Sequence, residues 1–200
     1  MERYAKAIQN LIMQFSRLPG IGPKTAERLV FYLLEQPTAT HQAFADALLQ
    51  SSKQVVRCTT CCNFSQTSPC SICAETKRNR SVICVVAHPQ DVAAIEKTGQ
   101  FDGCYHVLGG TLDALEGRTH NEIRVRELLI RIKNTPEITE VILALNPDIQ
   151  GETTILYLTK LLKECKLSVS RLARGLPIGG DVEFTDEVTL TNALRRREQL

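Results

Sequence analysis

Eight cysteines occur in 200 residues, and five of them fall within residues 58–73. Four of these are spaced as two pairs, Cys58-x2-Cys61 and Cys70-x2-Cys73, with eight residues between the pairs. Two such pairs can bring four thiolates to one tetrahedral Zn²⁺, which leaves no coordination position open for a substrate. The spacing therefore predicts one structural zinc per chain. Cys62, beside Cys61, offers another thiol but breaks the paired spacing, and the bland alternative is a set of reduced, partly buried thiols. Cys84, Cys104 and Cys165 sit in apolar patterns and are expected in the core.

A second chemical signal is Leu18-Pro19-Gly20-Ile21-Gly22-Pro23-Lys24-Thr25-Ala26 between two helical patterns, which resembles a helix-hairpin-helix. Gly20 and Gly22 let the backbone turn tightly and present amides at a helix N-terminus, where a phosphate oxygen can approach. Lys24 and Arg28 lie four apart, on one helical face, and can add phosphate contacts. Contacts of this kind hold a nucleic-acid backbone without reading sequence. An ordinary αα-corner is the plain alternative.

A third signal is acidic. Asn146-Pro147-Asp148-Ile149-Gln150-Gly151-Glu152 follows an apolar run and resembles the acidic motif of Toprim domains, the metal-binding fold of topoisomerases and primases. That pattern has Asp-Pro-Asp, then Glu-Gly-Glu, plus a Glu after the first strand. Here Ala87, Asn146 and Gln150 stand at three of those five positions, leaving Asp148 and Glu152. Mg²⁺ wants several hard oxygen ligands, and two-metal chemistry wants more. The three neutral residues argue against Mg²⁺ and against metal-assisted catalysis. No G-x-x-x-x-G-K-[ST] sequence is present, and His41, His88, His106 and His120 adjoin no nucleophile motif. Each histidine is expected to be a surface or satisfied interior residue.

The elements that must position these residues follow from periodicity. Ile8, Leu11, Ile12, Phe15 and Leu18 form one helical face, Thr25 to Glu35 resumes it, and a third helix is expected over about 40–55. Residues 57–80 lack an apolar pattern, carry a turn at Ser68-Pro69, and are too few to build a core. Strands are predicted at Val82–Val86, Tyr105–Leu108, Val141–Leu145 and Leu167–Leu172, with helices at Asp91–Thr98, Asn121–Lys133 and Thr153–Lys163. That alternation predicts a parallel sheet with helices on both faces. The fold class is multi-domain α+β, divided as 1–55 hairpin unit, 56–80 four-cysteine zinc module, 81–175 Toprim-like α/β domain and 176–200 C-terminal oligomerisation segment. Arg195–Arg197 is expected to be a solvated helix end.

Composition narrows the classes. At 43% hydrophobic and 23% charged the chain matches soluble globular proteins. Its longest apolar run, Val82–Ala87, is six residues, against roughly 20 for a membrane helix. The amphipathic, charged start does not read as a secretory signal, so a cytosolic protein is expected. The net charge of +2 hides a split: residues 1–80 hold ten Lys/Arg against five acids, and residues 81–200 hold fourteen against seventeen. A basic front suggests an anionic partner.

The order of hairpin, four-cysteine module, Toprim-like domain and C-terminal Gly175-Leu-Pro-Ile-Gly-Gly-Asp181 resembles the RecR family of bacterial recombination mediators along nearly the full length. Supporting stretches are Ala94–Gly99, Tyr105–Leu108 and Arg171–Leu190. The resemblance implies a non-enzymatic, cytoplasmic and nucleoid-associated protein of DNA repair. It would act with RecO, and in some settings RecF, to help RecA replace single-strand-binding protein at gaps. It implies rings, dimeric or tetrameric, that encircle single- or double-stranded DNA without sequence preference, built by contacts of the N- and C-terminal regions. By position, Lys24 and Arg28 match residues implicated in DNA binding, and Asp148 and Glu152 match acids linked to partner and DNA contacts. Asn at 146 is expected for the family, whereas Ala87 and Gln150 depart from it. Two other classes remain on the residues alone: a Toprim nuclease or primase working through Asp148, Glu152 and a metal, and a zinc-stabilised protein-interaction module.

Overall fold

The computed structural model describes residues 4–113, 117, 119 and 121–197, so His120 and the last three residues lie outside it. Two compact units form, residues 1–55 and 56–200. In the first, α1 (Lys6–Ser16) and α2 (Pro23–Leu34) pack as a hairpin, followed by α3 (Thr38–Gln54). Ala26 and Val30, one turn apart on α2, are fully buried. The Tyr4 ring meets the Phe31 ring edge-on at 5.2 Å, and the Tyr4 hydroxyl donates to Glu27. Between the helices Gly20 has φ +77, a left-handed conformation in which a side chain would be strained.

The second unit opens with a hairpin of β1 (Val56–Arg57) and β2 (Phe64–Ser65), then a single turn α4 (Ser71–Ala74). Next come β3 (Asn79–Val86), α5 (Pro89–Glu96), β4 (Gly103–Val107), α6 (Val125–Asn134), β5 (Glu140–Ala144), α7 (Ile149–Leu162), β6 (Ser168–Arg171) and α8 (Glu187–Arg195). The four long-range strands form a wholly parallel sheet in the order β4-β3-β5-β6. Period-two alternation sorts the core into two layers. Ile83 and Val85 of β3 and Val141 and Leu143 of β5 pack with Leu128 and Ile132 of α6 and Ile155, Leu158 and Leu162 of α7. Cys84, Val86, Tyr105, Val107 and Ala144 face the other way, against Val92 of α5 and Ile72 of the cysteine segment. Helices therefore cover both faces, as the alternating pattern predicts. Cys84 and Cys104 are buried, while Cys165 is half-buried.

Two helix starts differ from the periodicity. The pattern predicts α6 from Asn121, yet residues 121–124 are turns, because the Arg124 N–H is taken by the Leu108 carbonyl at 2.8 Å and ties the chain to the end of β4. The pattern predicts α7 from Thr153, yet it begins at Ile149. Asp148 caps it there, its Oδ1 accepting the Gly151 N–H at 2.7 Å. Much of the predicted acidic loop is thus the first turn of a helix.

His106, next to the end of β4, is fully buried. Its Nε2 pairs with the Arg124 carbonyl at 2.8 Å, and Nδ1 has no hydrogen-bond partner among the described residues. Burial, the largest cause, pushes its pKa down from 6.5 to about 4. The unfolded chain therefore binds the proton more tightly than the native one, so stability is full above pH 6.5 and falls as pH drops toward 4. Between pH 7 and pH 5 the loss from this group is expected to be about 2 kcal/mol. Urea unfolding at both pH values checks it: His106→Gln, which keeps a donor but does not titrate, should lose that much less than wild type. Equal losses would mean that other groups carry the acid sensitivity.

Candidate functional site

The cysteine segment is built as two turns that face each other. The first follows β1: the Cys58 N–H donates to the Asn63 carbonyl at 2.8 Å, and the Cys62 N–H to the Cys58 carbonyl at 2.9 Å. Cys62 closes that turn with φ +63 and stays outside the four-thiol group. The second turn starts at Cys70, the N-cap of α4, whose N–H donates to the Cys58 Sγ at 3.3 Å. The Sγ atoms of Cys58, Cys61, Cys70 and Cys73 lie within 4.8 Å of one another, and Cys61 and Cys70 are 3.6 Å apart. A tetrahedron with sulfurs 2.3 Å from zinc has edges of about 3.8 Å, so the four thiols fit that ion. As thiolates the four would call for a cation. Hydrogen bonding from Cys73 is the first cause that pushes the Cys61 thiol down to about 5, while burial pushes Cys70 up to about 11. Four adjacent thiolates cannot coexist without a positive charge among them.

The module is fastened to the sheet. The Val107 N–H donates to the Cys61 carbonyl at 2.8 Å, so the cysteine turn covers the β4 edge of the sheet. Ile72 packs against both the cysteines and the sheet core. Just after the cysteine turns, Arg78 donates to Glu96 at 2.8 Å and to the carbonyls of Phe101 and Gly103, and the Tyr105 hydroxyl donates to Glu96 at 2.7 Å. Arg78 is the first cause holding the Glu96 carboxyl below its usual range. Sequence reasoning missed this network, since its members are 9 to 25 positions apart.

In the N-terminal unit Gly22 is the N-cap of α2, Pro23 its first residue, and no side chain caps the helix. Among the described residues its first-turn amides at Lys24 and Thr25 accordingly have no side-chain acceptor. Lys24 and Arg28 are exposed. A Cβ built at Gly20 or Gly22 meets nothing within 4 Å, so the approach to this end of α2 is open.

The Toprim-like positions gather at the carboxyl ends of the strands, where open parallel sheets keep their sites. Ala87 follows β3 and is buried, Asn146 follows β5, and Asp148 caps α7. A cavity of about 270 Å³ there is lined by Asp91, Asn146, Arg171 and Arg174 among others. Glu152 is held by two arginines. Its carboxylate accepts from Arg171 at 3.3 Å and from Arg174, and Arg174 is the first cause holding it below the usual carboxylate range. The spacing leaves the two arginines unassigned; the available signal is two basic residues at and just past the end of the last strand, Arg171 and Arg174, with Glu152 just before the predicted start of the preceding helix.

Comparison with known proteins accords with this geometry. Family models described as Toprim domain, as RecR, helix-hairpin-helix, and as RecR, C-terminal match residues 81–173, 8–51 and 175–198. Relatives called recombination protein RecR run the full length. That of Pelodictyon phaeoclathratiforme is 47% identical over 201 residues, covering 98% of each chain. Those of Pelotomaculum thermopropionicum and Heliobacterium modesticaldum are 47% and 44% identical over 200 residues, covering 100% of each. Similarity of this extent, over a chain whose hairpin, four-thiol cluster and parallel sheet occur in the family's order, means that the chain belongs to the RecR family of recombination proteins.

Proposed function

We propose that the chain is a DNA-binding mediator of recombination repair, acting with RecO, and in some settings RecF, to promote RecA loading on gapped DNA coated by single-strand-binding protein. It does so as a ring-shaped clamp and catalyses no reaction. The observation that carries this reading is the open, uncapped N-terminus of α2, with Gly20 and Gly22 clearing the approach and Lys24 and Arg28 exposed beside it. Residues 1–55 grip the DNA backbone, and 56–80 hold one structural zinc through Cys58, Cys61, Cys70 and Cys73. Residues 81–175 form the body, and 176–200 join subunits into a dimer or tetramer. Exposed apolar residues at both ends support assembly, among them Phe44, Leu48 and Leu49 of α3 and Ile178, Phe184 and Val188 of the tail. Ala87, Asn146 and Gln150 supply no charge for Mg²⁺. Asp148 and Glu152 serve partner or DNA contacts by fixing the start of α7 and the exit of the tail, since both are already engaged within the chain.

DNA binding across a salt series, with oligomer mass taken on the same samples, tests the reading. Wild type should bind as an oligomer, through avidity, with affinity falling steeply as salt rises. The Lys24→Ala, Arg28→Ala double variant should bind at least about tenfold more weakly and with a shallower salt slope, having lost phosphate contacts. Unchanged binding by the double variant would move the contact away from the hairpin.

A further inference from the structure

The four-thiolate centre carries more charge than its own turns balance. Zn²⁺ with four thiolates has a net charge of about −2, and charge held in a partly buried site calls for a countercharge. Cys58, Cys61 and Cys70 are buried, whereas Cys73 is half-buried and stands at the edge of the module. Cys73 forms one wall of a narrow cavity of about 110 Å³ whose other walls include Thr60, Arg80, Cys104, Arg131 and Thr135. The two arginines come from outside the cysteine turns: Arg80 from β3 and Arg131 from α6. Among the described residues neither has a carboxylate partner, although Arg78, Arg124, Arg171 and Arg174 all do. The Arg131 guanidinium is fixed in place by donating to the Tyr105 carbonyl at 2.6 Å.

We infer that Arg80 and Arg131, the cations that share a cavity with Cys73, are the countercharges of the zinc-thiolate centre and set how firmly it holds its metal. This rests on the structural-zinc reading. Two guanidiniums without a carboxylate partner among the described residues, on the cavity that Cys73 also lines, would bring a dianionic centre close to neutrality. A free phosphate is the other occupant that two arginines could attract, but the thiolate charge on the same cavity wall opposes it. Groups hydrogen-bonded to metal ligands are typically worth ten- to a hundredfold in affinity, and countercharges acting across a cavity are expected at the low end of that range. The arrangement also makes metal retention depend on the sheet and on α6, because those elements hold the arginines in place.

The test is zinc content followed by zinc release to a competing chelator at pH 7, for wild type, Arg80→Gln, Arg80→Lys and the Arg80→Gln, Arg131→Gln double variant. Arg80 is the decisive position, being exposed and free of the Tyr105 bond that complicates Arg131. Arg80→Gln should release zinc about tenfold faster, the double variant faster still, and Arg80→Lys at nearly the wild-type rate. High salt should speed wild-type release toward that of the double variant, because it screens the same attraction. A folded Arg80→Gln chain that releases zinc at the wild-type rate overturns the inference while leaving the zinc site intact. Wild-type protein with no zinc overturns the zinc reading itself, and the inference with it.

Discussion

Cys58→Ser is expected to reduce zinc from one per chain to well under one, and to melt the cysteine module without unfolding the sheet. The serine oxygen is a hard, weakly acidic donor where Zn²⁺ holds soft thiolates, and a structural site cannot keep the ion on three. The binding free energy of such an ion is folding free energy for a segment with no core of its own. Here the local core is Cys58, Cys61 and Cys70, with Ile72 and Cys73 packed against it. Without the metal those side chains have little to hold them together. The rest of the unit has its own two-layered core, so the damage should stay local. A loss of a few kcal/mol lowers the melting temperature by about 10 °C for a chain of this size. Residues 56–75 should become the first site of proteolysis, and the β4 edge should lose protection at Val107, whose N–H bonds the Cys61 carbonyl. Metal analysis and limited proteolysis check this together. Zinc retained at one per chain in Cys58→Ser would overturn the ligand assignment.

Gly151→Ala should have the next largest effect, for a reason that has nothing to do with flexibility. A Cβ at position 151 would sit 2.0 Å from the Asn146 carbonyl oxygen and 3.1 Å from Asp148 Oδ1. The first of these is backbone and cannot rotate away, so the start of α7 must shift. The shift breaks the cap in which Asp148 accepts the Gly151 N–H at 2.7 Å, and it carries Glu152 away from Arg171 and Arg174. Overpacking and the lost cap together should destabilise the fold by about 3 kcal/mol. Gly175→Ala is the matched control. Its added Cβ meets nothing within 4 Å, and the change should stay within about 0.5 kcal/mol. Thermal or denaturant unfolding of both variants decides the matter; equal stability would mean that α7 tolerates the shift.

These two predictions differ in where they come from. The cysteine frame is visible in the chain because metal ligands recur at short, fixed spacings that a turn can close. The hairpin is visible for the same reason: Gly20 and Gly22 flank one residue, and Pro23, Lys24 and Arg28 follow within two turns. The role of Gly151 is not visible. Nothing local distinguishes a glycine that only ends a loop from one whose missing Cβ lets a helix begin against a carbonyl five residues earlier. The starts of α6 and α7 were misplaced on the same account. One is decided by the bond from the Arg124 N–H to the Leu108 carbonyl at the end of β4, the other by a cap that a search for apolar periodicity passes over.

By itself the sequence determined the elements and the local chemistry: helical faces around a glycine turn, four thiols in two pairs, and apolar runs that alternate between the two faces of a sheet, as Ile83 and Val85 do against Cys84 and Val86. Each of these depends on residues within a turn or a strand of one another. Only the tertiary structure decided which distant groups neutralise each other. Glu152 meets Arg171 and Arg174 because parallel strands and their crossover helix return the chain to the same edge, 19 and 22 residues later. Arg80 and Arg131 reach the wall of Cys73 because β3 and α6 border the module. His106 is pressed to about pKa 4 because the fold buries it completely in the sheet. Charge acts through space and burial acts through packing, and in a parallel sheet both are set by crossovers that local spacing does not encode.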